Sequence, residues 1–390
     1  MISDKNPNSA ETEELDGISI ARVNRLTLMG IFGKRELAKA LLKNDPDVIV
    51  WYGSPLSVIY LNQLRKIGKP VIWDIDMDIP ALRTLIRLSL RELFNPDHNL
   101  FLPQLSTIFY PKLAIRVIAN SRFVSKIVVP SQSLRNSMCA IGVNPEKIRV
   151  IPSTIERRDP VIFGTKKKAS RSTLGFDETE FVVTYFGSPC TLRGTDTAIM
   201  SMKQILAFRK DVKLMILSRR EKADGSAGGK YVKSEETYFG SRHLRSEEDY
   251  LRKLIEQMGI GKNVRILPGV MNKDELISYL LLSDIIVLPF KIIFSEPPLS
   301  VLEAMNLGKV VVTTNLGTLS EIMSGERGIL VEPSDAQSLA QAILFLADHR
   351  EKITQIGENA RRFAADLPDW DQVTFHFEEL LNETVTGKDD

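Results

Sequence analysis

Residues 285–314 read IIVLPFKIIFSEPPLSVLEAMNLGKVVVTT, and their pattern decides the fold. An apolar run of strand length, Ile285–Leu288, is followed by a proline-containing loop and a segment of helical period, Leu299–Leu307. Gly308 then ends the helix, and a second apolar run follows, Val310–Thr313. Strands written as continuous apolar runs, with a helix between them, belong to a parallel sheet that is covered on both faces.

Outward from this unit the alternation continues. Strands are predicted at Phe181–Phe186, Val212–Leu217, Val264–Leu267 and Gly328–Val331, with helices near Thr195–Ala207, Ser246–Met258, Lys273–Leu282 and Asp335–His349. Glu351–Leu367 and Asp369–Val385 read as terminal helices separated by Pro368. The first half repeats the pattern with strands Val48–Tyr52, Val71–Asp74, Lys126–Val129 and Ile148–Ile151. Its helices are Lys34–Lys43, Leu56–Ile67 and one that Ser131 caps. The fold class is therefore α/β, with two Rossmann-like domains whose parallel sheets are flanked by helices.

Composition agrees and narrows the function. A chain of 390 residues, 43% hydrophobic and 26% charged, is long enough for two cores. With 51 Lys+Arg against 49 Asp+Glu there is no global field to attract nucleic acid. Cys139 and Cys190 are the only cysteines, so neither a disulfide framework nor a thiolate metal site is indicated, and a reducing cytosol fits. Met1–Asp16 is polar and acidic and reads as a disordered tail rather than a secretory signal. The uncharged stretch Val48–Leu64 contains Gly53, Pro55, Asn62 and Gln63, a poor composition for spanning lipid.

The expected domains are 17–155, a linker at 156–174 marked by Lys166, Lys167 and Lys168, a second domain at 175–366, and a helix in 367–390 that returns to the first. Between Arg219 and Arg245 lies a polar insert with Gly225, Gly228, Gly229 and Lys230. Tyr231 stands where a phosphate loop needs Ser or Thr, so the insert reads as a mobile surface loop.

In open α/β sheets ligands bind beyond the carboxyl ends of the strands, which singles out two loops. After Phe186 come Gly187-Ser188-Pro189-Cys190-Thr191-Leu192-Arg193-Gly194, where glycines allow close backbone approach and Arg193 offers a fork suited to phosphate. After Leu288 the loop through Lys291, Ser295 and Glu296 reaches a helix starting at Leu299 and Ser300, whose free N–H groups and dipole form an anion site. Glu296 before that helix and Glu303 within its first two turns are a carboxylate pair able to grip sugar hydroxyls. Each also has an ordinary structural explanation: Arg193 as a surface arginine on a tight turn, Glu296 as a helix-entry charge, Glu303 as a lysine partner.

At this point the residues carry a resemblance. The run from Glu296-Pro297-Pro298 to Glu303-Ala304-Met305, then Gly308-Lys309-Val310 through Gly317 to Glu321, resembles the donor-site block of the retaining group 1 (GT4-type) glycosyltransferases of GT-B fold. It covers nearly all of Val150–Asp366 and, more loosely, Ile18–Ser153. The resemblance implies that Glu303 binds the nucleotide ribose, that backbone at Leu299 and Ser300 meets the diphosphate, and that Arg193, Gly187 and Gly194 complete the phosphate cradle. It further implies a nucleotide-diphosphate sugar as co-substrate with no other cofactor, and a glycan or lipid-linked acceptor on the first domain.

The departures from the family are specific. The family's paired glutamates are spaced E-x7-E, which puts Ser295 at the first place and Glu296 one residue late. Ser188 stands where a basic residue is usual, so half the phosphate charge must come from Lys291, Arg219 or Arg220. Asp76 takes the place of the family's histidine; it reads as an acceptor contact, as part of an Asp74-Ile75-Asp76 metal motif of the GT-A kind, or as a solvated turn. Measured against the family, the opening strand and its glycine-rich loop are absent, so that either another chain completes the first domain or the start of the chain was assigned too late.

Between Leu82 and Lys126, Arg83, Arg87, Arg91, Lys112, Arg116, Arg122 and Lys126 interleave with apolar residues. This is either a surface for peripheral contact with anionic membranes or ordinary amphipathic helices. For function, two classes stand: a metal-independent glycosyltransferase with Glu296, Arg193 and Asp76 as its catalytic candidates, and a catalytically silent nucleotide-sugar-binding or scaffold protein of the same fold.

Overall fold

The computed structural model describes residues 2–4, 12–15, 18–23, 45–52, 64–75, 112–156, 170–219, 241–269, 273–293 and 295–387. They fall into two compact units, divided between Pro152 and Ser153 and again between Asp371 and Gln372.

In the first unit, β1 (Ile2–Asp4), β2 (Thr12–Leu15) and β3 (Ile18–Val23) form a small sheet in the order β1-β3-β2. β1 and β2 thus lie within Met1–Asp16, a stretch expected to be a disordered tail; 5–11 and Asp16 lie outside the described residues. Leu15 pairs with Ile18 in an antiparallel register. The main sheet of this unit is β4 (Ile49–Tyr52), β5 (Val71–Asp74), β6 (Val124–Val129) and β7 (Ile148–Val150), all parallel and in chain order. Trp73, Ile127 and Val129 are sealed in a core with Ile115 of α1 (Lys112–Ala119) and Leu134 and Met138 of α2 (Gln132–Ala140). Ser131 caps α2 as its sequence suggests, its Oγ accepting the Leu134 N–H at 3.1 Å.

The predicted helix Lys34–Lys43, Asp76, and the basic stretch up to residue 111 lie outside the described residues. The end of the predicted helix Leu56–Ile67 is a single 3-10 turn, Arg65–Ile67, closed by Gly68 in the left-handed region.

The second unit is built on a six-stranded parallel sheet. Its strands are β8 (Phe181–Gly187), β9 (Val212–Arg219), β10 (Val264–Gly269), β11 (Ile285–Leu288), β12 (Val310–Thr314) and β13 (Ile329–Val331). The spatial order β10-β9-β8-β11-β12-β13 is the doubly wound 3-2-1-4-5-6 arrangement, with its reversal between β8 and β11. All residues of β8, β11 and β12 are buried, as the continuous apolar runs require of strands covered on both faces.

The covering helices are α3 (Thr195–Phe208), α4 (Ser241–Gln257), α5 (Lys273–Leu282), α6 (Leu299–Asn306), the short α7 (Leu319–Ile322), α8 (Ala336–Asp348) and α9 (Arg350–Asp366). The helical start at Ser241 reduces the predicted insert to 220–240, which lies outside the described residues. Residues 170–174, expected to be linker, are integrated here. The Arg171 guanidinium donates to the carbonyls of Leu282, Glu178 and Glu180 and pairs with Asp284, while Leu174 and Phe176 enter the core.

A last helix, α10 (Trp370–Thr386), packs Val373 and Leu380 against Ile72, Val128 and Ile151. Among the described residues no helix is long and apolar enough to cross a membrane.

Candidate active site at the sheet reversal

The reversal between β8 and β11 puts the two loops singled out in the sequence side by side. β8 ends on Gly187, whose φ of +124° only glycine adopts readily. Tyr185 then fixes the exit, its buried hydroxyl donating to the Ser188 carbonyl at 2.8 Å. Burial holds this phenol well above its usual pKa, with Arg193 opposing.

Thr191–Arg193 forms one 3-10 turn. The Arg193 N–H donates to the Cys190 carbonyl, and that carbonyl also accepts the Thr195 hydroxyl. The Arg193 Nη1 lies 3.5 Å from where a Cβ on Gly187 would stand, so the guanidinium sits over the strand's glycine end. Burial, with the Glu247 carboxylate adding to it, pushes the Cys190 thiol up to about 12.

The second loop is bonded directly to this turn. The Leu192 carbonyl accepts the N–H groups of Lys291 at 3.0 Å and Ile292 at 3.2 Å. Gly194, at φ +77°, packs so closely that an added Cβ would meet the Pro289 oxygen at 1.8 Å. Thr313 and Thr314 of β12 brace the same loop from beneath, donating to the carbonyls of Leu288 and Phe290. The Lys291 ammonium reaches into α3, 2.7 Å from Asp196 Oδ2, with both side chains buried. Lys291 is thus engaged with a carboxylate where the sequence suggested a phosphate ligand.

Beyond it, Ser295 is exposed and Glu296 is 3% exposed. The Glu296–Pro297 peptide is cis. Glu296 Oε2 accepts the Thr318 N–H at 3.0 Å, and a Cβ on Gly317 would fall 1.6 Å from its Oε1. The carboxylate is therefore seated against the turn after β12. α6 then begins after Pro298 with no side-chain cap, the Val301 N–H donating to the Pro298 carbonyl at 2.9 Å; Leu299 is 48% exposed and Glu303 half-buried.

Of the residues expected at a site, Gly187, Ser188, Arg193, Gly194 and Lys291 come together in one bonded assembly. Glu296, Leu299, Ser300 and Glu303 continue from it along the same loop and helix. Asp76 lies outside the described residues. Sequence reasoning missed Asp196, Glu247 and Thr318. The signal for Glu247 was present, since it precedes Leu251 and Ile255 on the apolar stripe of α4, where a charged residue needs a partner. Among the described residues no three His, Cys, Asp or Glu side chains are grouped to hold a metal ion.

The glycosyl transferases group 1 family model matches residues 166–363, the segment that contains this entire assembly. The chain belongs to that family. The glycosyltransferase family 4 model matches residues 3–158. Over 277 residues the chain is 25% identical to D-inositol 3-phosphate glycosyltransferase 1 of Catenulispora acidiphila, covering 70% of this chain and 58% of that protein. It is 24% identical over 265 residues to a GDP-mannose-dependent monoacylated alpha-(1-6)-phosphatidylinositol monomannoside mannosyltransferase of Corynebacterium glutamicum, covering 66% of this chain and 60% of that one. The chain therefore spans less than two thirds of the length of these curated relatives. Among solved structures, sucrose-phosphate synthase from Thermosynechococcus elongatus shares the fold, with a TM-score of 0.69, 18% identity, and coverage of 100% of this chain and 89% of that one.

Proposed function

We propose that this chain transfers a sugar from a nucleotide-diphosphate sugar to an acceptor hydroxyl with retention of configuration and without a metal ion. The observation that carries the reading is the bonding of the Arg193 turn to the Lys291–Glu296 loop through the Leu192 carbonyl, which supports a single site for the diphosphate. In this scheme Arg193 and the N-terminus of α6 neutralise the charge growing on the departing nucleotide diphosphate, and Glu303 holds the ribose. Donors fixed in advance at the place where charge develops need no reorganisation during reaction, so no covalent carboxylate is required. Glu296, fixed against Gly317 and Thr318, orients the donor sugar while the acceptor hydroxyl attacks from the face the leaving group vacates. Asp76 is assigned to the acceptor.

The relatives are named for inositol phosphate and phosphatidylinositol mannoside acceptors, and for GDP-mannose in one case. The same classes, a polar polyol phosphate or a lipid-linked glycan reached at the cytoplasmic face of a membrane, are proposed here.

The test is an assay of the purified chain with UDP-, GDP- and ADP-sugars, with and without EDTA. Transfer that is insensitive to EDTA is expected, and Arg193→Ala should lower kcat about 100-fold to 1000-fold. A second reading, a nucleotide-sugar-binding protein without turnover, is favoured by the uncharged Ser188 and by the pairing of Lys291 with Asp196. Nucleotide binding with no transfer or hydrolysis from any donor would decide for it.

A further inference from the structure

Glu247 takes no part in the scheme above, yet it is completely buried. Enclosing a carboxylate costs several kcal/mol unless hydrogen bonds compensate, and Leu251 and Ile255, one and two turns further along α4, are buried apolar residues. A leucine would pack there more cheaply. Among the groups the carboxylate binds is the Thr191 N–H, which it accepts at 2.9 Å across 56 residues of chain. That N–H opens the 3-10 turn whose last residue is Arg193. The turn's other bonds run within itself, to Thr195, or from its Leu192 carbonyl to the second loop. Glu247 therefore ties the turn to α4 through a backbone group that the second loop does not use. Its negative charge and the positive charge of Arg193 act in opposite senses on the Cys190 thiol, so both lie near the start of this turn.

We propose that Glu247 is a positioning residue: by holding the Thr191 N–H it keeps the Thr191–Arg193 turn in the geometry that poises the guanidinium over Gly187 for a nucleoside diphosphate. The proposal rests on the transferase reading. An ionised acceptor suits the task because a charge-assisted bond is stronger and shorter than a neutral one. Small displacements of a positioned cation are costly to its function.

The experiment is calorimetric titration of the full chain with UDP, with GDP and with ADP, alongside donor kcat/KM and thermal melts, for the wild type, Glu247→Leu and Glu247→Gln. Glu247→Leu should weaken nucleoside-diphosphate binding and lower donor kcat/KM by about 10-fold to 100-fold, with the acceptor KM and the binding stoichiometry unchanged. Glu247→Gln, which retains an acceptor oxygen, should restore both to within about threefold of wild type. A purely structural role would reduce the melting temperature and the active fraction without altering the affinity of the folded molecules, and would overturn the proposal. So would equal losses in the Leu and Gln variants. If Glu247→Leu does not fold, Glu247→Asp withdraws the carboxylate by one methylene while keeping its charge; a similar loss of affinity is expected, and unchanged affinity overturns the idea. Wild type that binds none of UDP, GDP and ADP would instead defeat the transferase reading itself.

Discussion

The two parallel sheets use one device in the same place and under different constraint. In the first unit Lys147, directly before β7, donates to the carbonyls of Ala119, Ser121 and Val124, closing the C-terminal end of α1. In the second Lys309, directly before β12, donates to the carbonyls of Leu281 and Ser283 at the end of α5. A cation at that end of a helix satisfies orphan acceptors and complements the dipole. Burial lowers the pKa of both amines, and that of Lys309 falls to about 8. The shared device reflects a shared architecture. The deeper burial of Lys309 reflects a second sheet whose connections are packed more tightly, backbone against backbone, where the candidate site lies.

Two glycines give the sharpest test of that difference. Gly194 in the second unit and Gly142 in the first both adopt left-handed backbone, at φ +77° and φ +90°. A methyl on Gly194 would meet the Pro289 carbonyl oxygen at 1.8 Å, a backbone atom bound into the second loop. A methyl on Gly142 would meet the Arg116 Nε at 2.8 Å, part of an exposed side chain that can swing away. Gly194→Ala should therefore cost more than about 4 kcal/mol, or prevent accumulation of folded protein, through overlap added to backbone strain. Gly142→Ala should cost about 1–2 kcal/mol, the strain alone. Urea unfolding of both variants checks this, and equal losses would show that the two units are packed alike.

The periodic parts of this architecture were legible in the sequence because they depend on neighbours. Runs such as Ile285–Leu288 and Val310–Thr314 are buried on both faces wherever they occur, and their reading as strands needed no tertiary information. The loops of the candidate site were located by the same logic, from their place after strands. What those loops contact was not legible. Lys291 meets Asp196 across 95 residues and Thr191 meets Glu247 across 56, and neither spacing carries a local signal. At the other end of the chain the acidic composition of Met1–Asp16 pointed to a tail, and Thr12-Glu13-Glu14-Leu15 carries no apolar alternation that would have marked it as the strand β2.

The lysine pair yields a pH test of intermediate size. Burial is the main cause of the lowered Lys309 pKa, with Asp284 opposing and Arg171 adding to it. Below pH 8 the amine is protonated in both the folded and unfolded chain, and folding bears the full cost of burying the charge. Between about 8 and the ordinary 10.5 the unfolded chain binds more protons than the folded one, so this residue makes stability rise with pH across that window. The full rise is roughly 3 kcal/mol. Lys309→Met should flatten it, seen as a smaller difference between unfolding free energies at pH 8 and pH 10.5 than in the wild type. Lys147→Met should change the slope in the same direction by less.

The smallest effect is expected where the first unit meets α10. Arg149 of β7 pairs with Glu383 at 3.1 Å, joining residues 234 apart, and it is tempting to credit this bond with holding the last helix in place. The side chains are 49% and 26% exposed, however, so water and salt screen the attraction, and fixing two long side chains offsets most of what remains. The apolar contacts of Val373 and Leu380 with Ile72, Val128 and Ile151 are sealed from water and do not share that weakness. Glu383→Gln should therefore lower stability by less than about 1 kcal/mol, and that loss should vanish in 1 M salt, where the screening length falls to about 3 Å. A larger loss that persists in high salt would mean that the ion pair, rather than the apolar face of α10, keeps the helix on this sheet.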